Sequence, residues 1–406
     1  MKDTELFQKA LDLPSPWLVS SSVFDIEEKT LRLKLDFPPG SIFCCPECGA
    51  QGCQVYDTKE MTWRHMNFWQ HPTQISARRP RVQCEKCGVK VIDVPWARSG
   101  SAFTLLFEAY VIKLAEDMPI NAIADLVGET DTRLWRIVRH YVKDEHDKLD
   151  FSEVSRVGFD ETSRKRGHDY VTVSVDLDTG NVLFVTEGKD ADTIKRFRDE
   201  LERHGGDPSN ITDISIDMSP AFIRGAIDHL PDADVTFDKF HVVKLLNKAV
   251  DDVRRAESKT NELLKGSRYI WLKNQQNLTK NQSKELEKIL GLKGMNLKTV
   301  RAYNIKLAFQ EFYRQSLDVA EEYLKKWYYW ATHSRIEPIK DFAKTVKTHW
   351  DGILAWFSSK VTNGVLEGVN SLIQEIKSRA RGFRNVQNFI AIIYLKLAGI
   401  SPLQPT

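Results

Sequence analysis

The chain has 406 residues, 42% of them apolar and 28% charged, and its 58 basic and 56 acidic side chains leave a net charge of +2. These values describe an ordinary soluble protein long enough for more than one domain, and the total charge alone does not announce a nucleic-acid binder. No stretch is apolar for long enough to span a bilayer, and the opening MKDTELFQKALDL has no apolar signal core, so no membrane association and a cytoplasmic, nucleoid-associated location are expected.

Residues 1–40 begin with an amphipathic segment and reach LRLKLDFPPG, which reads as one strand and a Pro-Gly turn. All six cysteines then fall between Cys44 and Cys87. In a chain without a signal peptide such clustering favours metal over disulfides. Cys45-Pro-Glu-Cys48 and Cys84-Glu-Lys-Cys87 are two C-x-x-C knuckles, and two such pairs of thiolates complete a tetrahedron around a structural zinc. Cys44 stands as an alternative to Cys45, and Cys53 is left over. Buried free thiols or a redox pair are the other reading. The segment between the knuckles is too long for a compact finger and must fold as a strand-rich insert. It carries Trp63-Arg64-His65 and Arg78-Arg79-Pro80-Arg81, either a surface for the DNA backbone or a solvated edge. Residues 1–98 are read as an N-terminal zinc-binding module.

Residues 99–150 are helical. FTLLFEAYVIKLAED has apolar residues at helical spacing, Pro119 opens a short helix closed by Gly128, and a further helix starts at Asp131. Helix, glycine-containing turn, helix is the helix-turn-helix arrangement. Leu134, Ile137, Val138 and Tyr141 face inward. Arg133, Arg136 and His140, with Arg139 nearby, form a basic face suited to a major groove, although any three-helix bundle shows this periodicity.

Residues 151–241 read strand, strand, strand, helix, strand, helix, strand. RVGFDET (156–162) is the first strand, and the next two form a hairpin around Asp178-Thr179-Gly180-Asn181. A later strand ends at Asp217, followed by a helix with Ser219 as N-cap and Pro220 in its first turn, and another strand ends at Asp238. This order is that of the ribonuclease H-like fold, an α/β fold in which an acid on the first strand and one at the end of the fourth lie side by side. Asp160 and Asp217 occupy those places. Residues 242–350 are wholly helical and read as an insertion between the two parts of the core, 151–241 and 351–406. Within it Trp327, Tyr328, Tyr329 and Trp330 read as helix-packing groups rather than base-stacking ones.

After Asn363-Gly364 a helix runs from about Val365 to Ala380. Leu366, Val369, Ile373 and Ile376 mark its buried side, and Glu367, Asn370, Gln374, Lys377 and Arg381 follow on the other. The segment 374–384 holds Lys377, Arg379, Arg381 and Arg384 against the single acid Glu375, a local patch for phosphates. An acid at the start and cations at the end also suit the helix dipole, so a solvated charged face is the plainer alternative. The functional reading sets Glu367 over the Asp160/Asp217 pair and the cations, Lys377, Arg381 and Arg384 among them, on DNA.

With these segments in view, the sequence resembles the bacterial insertion-sequence transposases of the ISL-three family, within the DDE transposases. The resemblance runs from about residue 40 to 400. It rests on PRVQCEKCG (80–88), PWARSGSAFT (95–104), VGFDETSRKRGHDYVTVSVD (157–176), DMSPAF (217–222), FDKFHVVK (237–244) and NGVLEGVNSLIQEIKSRARGFRN (363–385), in family order. It implies an enzyme that recognises the terminal inverted repeats of an insertion sequence in double-stranded DNA, cleaves the ends and joins the 3′ ends to target DNA. It also implies a catalytic triad of Asp160, Asp217 and Glu367, a helical insertion ahead of the glutamate, and an N-terminal zinc segment. Some relatives have histidine where this chain has Cys87.

Such chemistry suits two metal ions roughly 3.5–4 Å apart. Oxygen ligands favour magnesium, with manganese as a substitute. Asp160 is expected to bridge the ions, Asp217 to hold one and Glu367 the other. Glu161, Asp238 and His241 would surround them, with His241 either at the scissile phosphate or simply packed. Two ends must meet, so a homodimer is expected. The chief competing reading is a domesticated sequence-specific DNA-binding protein without chemistry. Another ribonuclease H-like nuclease, such as a junction resolvase, would need neither the zinc module nor the long insertion.

Overall fold

The N-terminal part is a broad sheet. Helix α1 (Asp3–Ala10) precedes β1 (Leu18–Asp25), β2 (Thr30–Asp36), β3 (Ile42–Phe43), β4 (Cys53–Phe68), β5 (His71–Cys84) and β6 (Gly88–Val91). The strand order is β1-β2-β5-β4-β3, with β6 also paired to β5. This computed structural model describes residues 2–165, 169–291, 296–359 and 364–400. The insert expected between the knuckles is the long β4–β5 hairpin. Along β5, Thr73, Ile75 and Ala77, then Val82 and Cys84, turn inward at every second position. They meet Trp17, Leu33, Trp63 and Trp96 in a core of their own. The sequence reading missed β1, because three serines and mostly exposed positions hide its period.

The three helices that follow are α2 (Leu105–Ala115), α3 (Ile120–Val127) and α4 (Asp131–His146). The Thr104 hydroxyl caps α2 by accepting from the Phe107 N–H at 3.3 Å. Gly128 ends α3 at φ 69°, a left-handed conformation that a side chain would strain. Leu134, Ile137 and Val138 are buried as expected, and Tyr141 is half-buried with its hydroxyl donating to Glu108 at 2.6 Å.

The second sheet has five strands, β7 (Arg156–Lys165), β8 (Asp169–Asp176), β9 (Val182–Glu187), β10 (Asp213–Ile216) and β11 (Asp234–Phe237). Their order is β11-β10-β7-β8-β9: an antiparallel meander from β7 to β9, with β10 parallel to β7 and β11 parallel to β10. Helix α5 (Asp192–Arg203) links β9 to β10, and α6 (Pro220–His229) links β10 to β11. Val157 and Phe159 enter one core with Phe197, Ile214, Ile216 and Phe222. The two-residue period then turns Asp160 to the opposite face, beside Val171, Val173 and Val175.

Helix α7 (Lys239–Glu257) runs unbroken through position 241. With α8 (Arg268–Leu272), α9 (Lys280–Leu290), α10 (Lys298–Phe312), α11 (Leu317–Thr332) and α12 (Glu337–Thr348) it forms the helical block, from which α13 (Trp350–Leu354) and α14 (Trp356–Ser359) return to pack on β11. Phe309, Phe312, Trp327 and Phe342 share one core with Ile214 and Phe237, so the block and the sheet are hydrophobically continuous. Trp327 is buried with its indole N–H on the Ile305 carbonyl, and Tyr328 packs against Trp350, whereas Tyr329 and Trp330 are exposed. On the other face of the sheet, α15 (Gly364–Arg379) and α16 (Val386–Leu397) join α2 to α4 around the β8 and β9 valines. Among the described residues no helix is long and apolar enough to cross a membrane.

Candidate active site and metal centres

Strands β7 and β10 are parallel neighbours with Gly158 opposite Ser215, and the same register continued by two residues sets position 160 beside position 217. Asp160 is on β7 and Asp217 is the first residue past β10. Burial pushes the Asp160 carboxyl above its ordinary range, and the Asp217 charge adds to the push; the Glu161 N–H, His241 and Asn370 oppose it. Glu161 is also raised, first by burial and then by Asp217 and Asp160, against the pull of Lys189 at 3.8 Å. Asp217 Oδ1 accepts from the Ser219 N–H at 2.8 Å. Buried Asp238 caps α7, accepting from the Phe240 N–H and from His241 Nδ1, both at 2.6 Å. That bond holds His241 above its usual pKa, and Asp238, Asp160 and Asp217 reinforce it by charge.

Helix α15 lies along β7. Leu366 sits over Gly158, where a Cβ would fall 2.7 Å from its Cδ1, so the missing side chain is what admits the helix. Asn370 Nδ2 then donates to Asp160 Oδ2, Gln374 Nε2 to Thr162 Oγ1 at 2.7 Å, and Lys377 Nζ to the Ser163 carbonyl at 2.6 Å. Glu367 lies one turn before Asn370 on the same face and is exposed. Among the described residues its carboxylate does not gather with those of Asp160 and Asp217 within 4.8 Å. The structure therefore sets Asp160, Asp217, Glu161, Asp238 and His241 within electrostatic reach of one another, with Glu367 exposed on α15 one turn before Asn370. Sequence reasoning missed Lys189, which no local pattern marks, and put Asn370 on the right helix face without foreseeing its bond to Asp160.

The sulfurs of Cys45, Cys48, Cys84 and Cys87 all lie within 4.8 Å of one another, with Cys48 and Cys84 at 3.6 Å. Four sulfurs from two tight turns fit a tetrahedral zinc ion. The backbone N–H groups of Cys87 and Lys86 lower the Cys84 thiol, whereas the Cys48 side chain and burial raise that of Cys87. Exposed Cys44 and buried Cys53 stay outside the cluster.

The basic residues divide into committed and exposed. Trp63 and Arg64 are buried, which removes the DNA-backbone surface considered for that segment. Arg64 reaches under the helix-turn-helix, donating to the Val127 carbonyl at 2.9 Å, lying over the Phe107 ring and facing Glu129 at 3.7 Å. His65 Nδ1 meets Thr104 Oγ1 at 2.9 Å. Arg78, Arg79 and Arg81 pair with Asp36, Asp93 and Asp57. On α4, Arg133 is held by Glu129 and the Phe103 ring, and His140 faces Asp144 at 3.5 Å, while Arg136 and Arg139 are exposed. Arg381 and Arg384 are exposed after α15.

Comparison with known proteins follows this geometry. The family profile described as a transposase matches residues 157–393. That for the helix-turn-helix domain of transposase family ISL3 matches 92–142, and that for the zinc-finger of transposase IS204/IS1001/IS1096/IS1165 matches 43–87. The transposase for insertion sequence element IS1557 of Mycobacterium tuberculosis is 29% identical over 392 residues, covering 89% of this chain and 87% of the relative. That for IS1001 of Bordetella parapertussis is 28% identical over 392 residues, covering 92% of each. With a profile match over more than half its length and the two accessory modules in order ahead of it, the chain belongs to the ISL3 family of transposases.

Proposed function

We propose that this transposase acts by DDE chemistry: it binds the terminal inverted repeats of an insertion sequence, cleaves the DNA ends by metal-dependent hydrolysis, and joins the 3′ ends to target DNA. The observation that carries the reading is the parallel register that sets Asp160, midway along β7, beside Asp217, the first residue past β10. The strand order β11-β10-β7-β8-β9 supports a ribonuclease H-like core. That core would comprise residues 151–241 and 351–406 around the insertion 242–350, behind a zinc module (1–98) and a helix-turn-helix (99–150).

The site fits magnesium or manganese. Its donors are carboxylate oxygens, and the burial of Asp160 and Glu161, with the neighbouring negative charge added, is what a divalent cation offsets. Two such ions, when bound, supply an activated attacking oxygen and charge relief on the leaving oxygen. The chain itself contributes position. Asp160 and Asp217 present their oxygens from a rigid sheet, and Asn370 orients Asp160. Glu367, one turn along α15, is the third acid and closes onto the pair when DNA is in place. His241, fixed by Asp238, offers a positive group to a phosphate oxygen. Water at the transposon end and later the freed 3′ hydroxyl perform the same in-line displacement: a new P–O bond forms and the bond to the leaving 3′ oxygen breaks, that oxygen taking a proton. Exposed Arg136, Arg139, Arg381 and Arg384 meet the backbone, and a homodimer holds the two ends.

The test is Asp217→Asn in a purified end-cleavage assay with magnesium. The variant should bind end DNA and leave it intact. Cleavage near the wild-type rate would remove Asp217 from the site, and a wild-type protein that binds ends but never nicks them would favour the chemistry-free reading.

A further inference from the structure

A third group of ligating side chains lies apart from the acids and the cysteines. His146 ends α4, and Glu200 and His204 stand one turn apart at the end of α5. One ring nitrogen from each histidine and a Glu200 oxygen all lie within 4.8 Å of one another. Both histidines are buried and Glu200 is half-buried.

The surrounding hydrogen bonds fix what each ring presents. His146 Nε2 faces the Leu183 carbonyl at 3.0 Å, and His204 Nδ1 faces the Leu149 carbonyl at 2.7 Å. A carbonyl has no proton to give, so both of these nitrogens carry hydrogens. In the neutral rings the lone pairs then belong to His146 Nδ1 and His204 Nε2. Both meet the same atom, Glu200 Oε1, at 3.7 and 3.3 Å. Two lone pairs and a carboxylate oxygen repel unless a cation lies among them. The spacing is that of metal ligands: nitrogens about 2.0–2.1 Å from a tetrahedral zinc stand about 3.4 Å from their neighbours. An imidazole whose remote N–H is held by a backbone carbonyl is also the usual outer arrangement of a metal-bound histidine.

We propose that His146, Glu200 and His204 form a second divalent transition-metal site, for zinc by its donor set, which clamps the helix-turn-helix to the α/β core. One ligand comes from α4 and two from α5, so binding ties those elements together. Tyr394 of α16 covers the His146 ring at 4.1 Å, and Phe151 stacks on His204 at 4.4 Å, closing the apolar side. Arg203 donates to both Glu200 oxygens, Oε1 among them, so the ligand oxygen also carries a guanidinium on its outer side, and Arg203 reaches Asp147 at 2.9 Å.

Cobalt(II) is the probe, added to full-length protein stripped of metal, with magnesium in excess to keep cobalt off the acids. Wild type should take two equivalents per chain: one with intense thiolate charge-transfer bands, one with only weak bands of nitrogen and oxygen ligation. Glu200→Gln and His204→Gln should each lose the second and keep the first, and Cys84→Ser should do the reverse. Chelation should lower the melting temperature of wild type more than that of Glu200→Gln. A single thiolate-bound equivalent in wild type overturns the proposal without relying on any variant's folding. So does a second equivalent that persists in both the glutamate and histidine variants. Neither result bears on end cleavage, which the Asp217→Asn assay reads separately.

Discussion

The cysteine centre and the acid centre are assembled in opposite ways. Four thiols gather at the base of one hairpin, β4–β5, from two turns that each hold their pair locally. Thiols can stand close because a proton neutralises them when no metal is present. The acid centre draws on β7, β10 and α15, which are far apart in the chain. Burial, with the Asp217 charge adding to it, already raises Asp160, and Glu367 is exposed to solvent. A structural centre can close before its ion is tightly held, whereas on the proposed reading a centre that must admit DNA keeps its last ligand outside.

The first way to break this contrast is to remove a cysteine. Cys84→Ser deletes a buried ligand on the strand that carries the core of the N-terminal sheet. Structural zinc contributes an apparent binding energy of about 10–16 kcal/mol in small modules, so this sheet should lose its zinc and become open to protease. A variant with full zinc content and an intact sheet would show that the cluster does not support the fold.

Glu367→Gln probes the other side. The exposed side chain contributes little to stability, so the melting temperature and end binding should hold while magnesium-dependent cleavage falls on the order of 10³-fold, as when a group that acts on transition-state charge is removed. Cleavage within a few-fold of wild type would strike Glu367 from the site and leave Asn370, its neighbour on α15, to be reconsidered.

These two centres were also unequally legible. The C-x-x-C pairs carry their geometry in four-residue windows, and Asp160 was placed by simple alternation with Val157 and Phe159. The helix-turn-helix was marked by Pro119 and Gly128, which stop and start helices by backbone chemistry alone. What failed was whatever depends on distant partners. Trp63-Arg64-His65 looked like a basic surface because Glu129, Val127 and Phe107, which receive Arg64, lie in another module. The approach of α15 to Asp160 depends on Gly158 and Leu366 meeting, which no local window contains. Glu200 and His204 have the four-residue spacing of a helix face, but His146 joins them only in three dimensions.

The joint between the N-terminal sheet and the helix-turn-helix gives a pH test. Burial first, and the Arg64 charge second, bring His65 from its ordinary 6.5 down to about 4. Below pH 6.5 the unfolded chain takes up a proton that the folded one refuses until about pH 4. Stability is therefore full above 6.5 and falls as pH drops through that window, by at most about 3 kcal/mol. Denaturant unfolding of wild type and His65→Gln between pH 7 and 4.5 should show the wild type losing more. Parallel curves would mean that the ring is not held neutral.

The smallest effects should come from the cations of α4, where committed and exposed arginines sit on one helix. Arg136 and Arg139 are exposed, so each is available to a phosphate. Replacing either by alanine should weaken end binding at low salt and reduce the slope of log affinity against log salt by about 1. Arg133 differs because Glu129 and the Phe103 ring already hold its guanidinium. Arg133→Ala should leave the slope unchanged and cost about 0.5–1 kcal/mol of stability, the value of a partly exposed ion pair and ring contact. The distinction turns on desolvation: a guanidinium that must first leave Glu129 gains little by meeting phosphate. If Arg133→Ala instead flattens the salt dependence as much as Arg136→Ala does, the DNA draws Arg133 out of its ion pair, and the committed and exposed cations of this helix act as one surface.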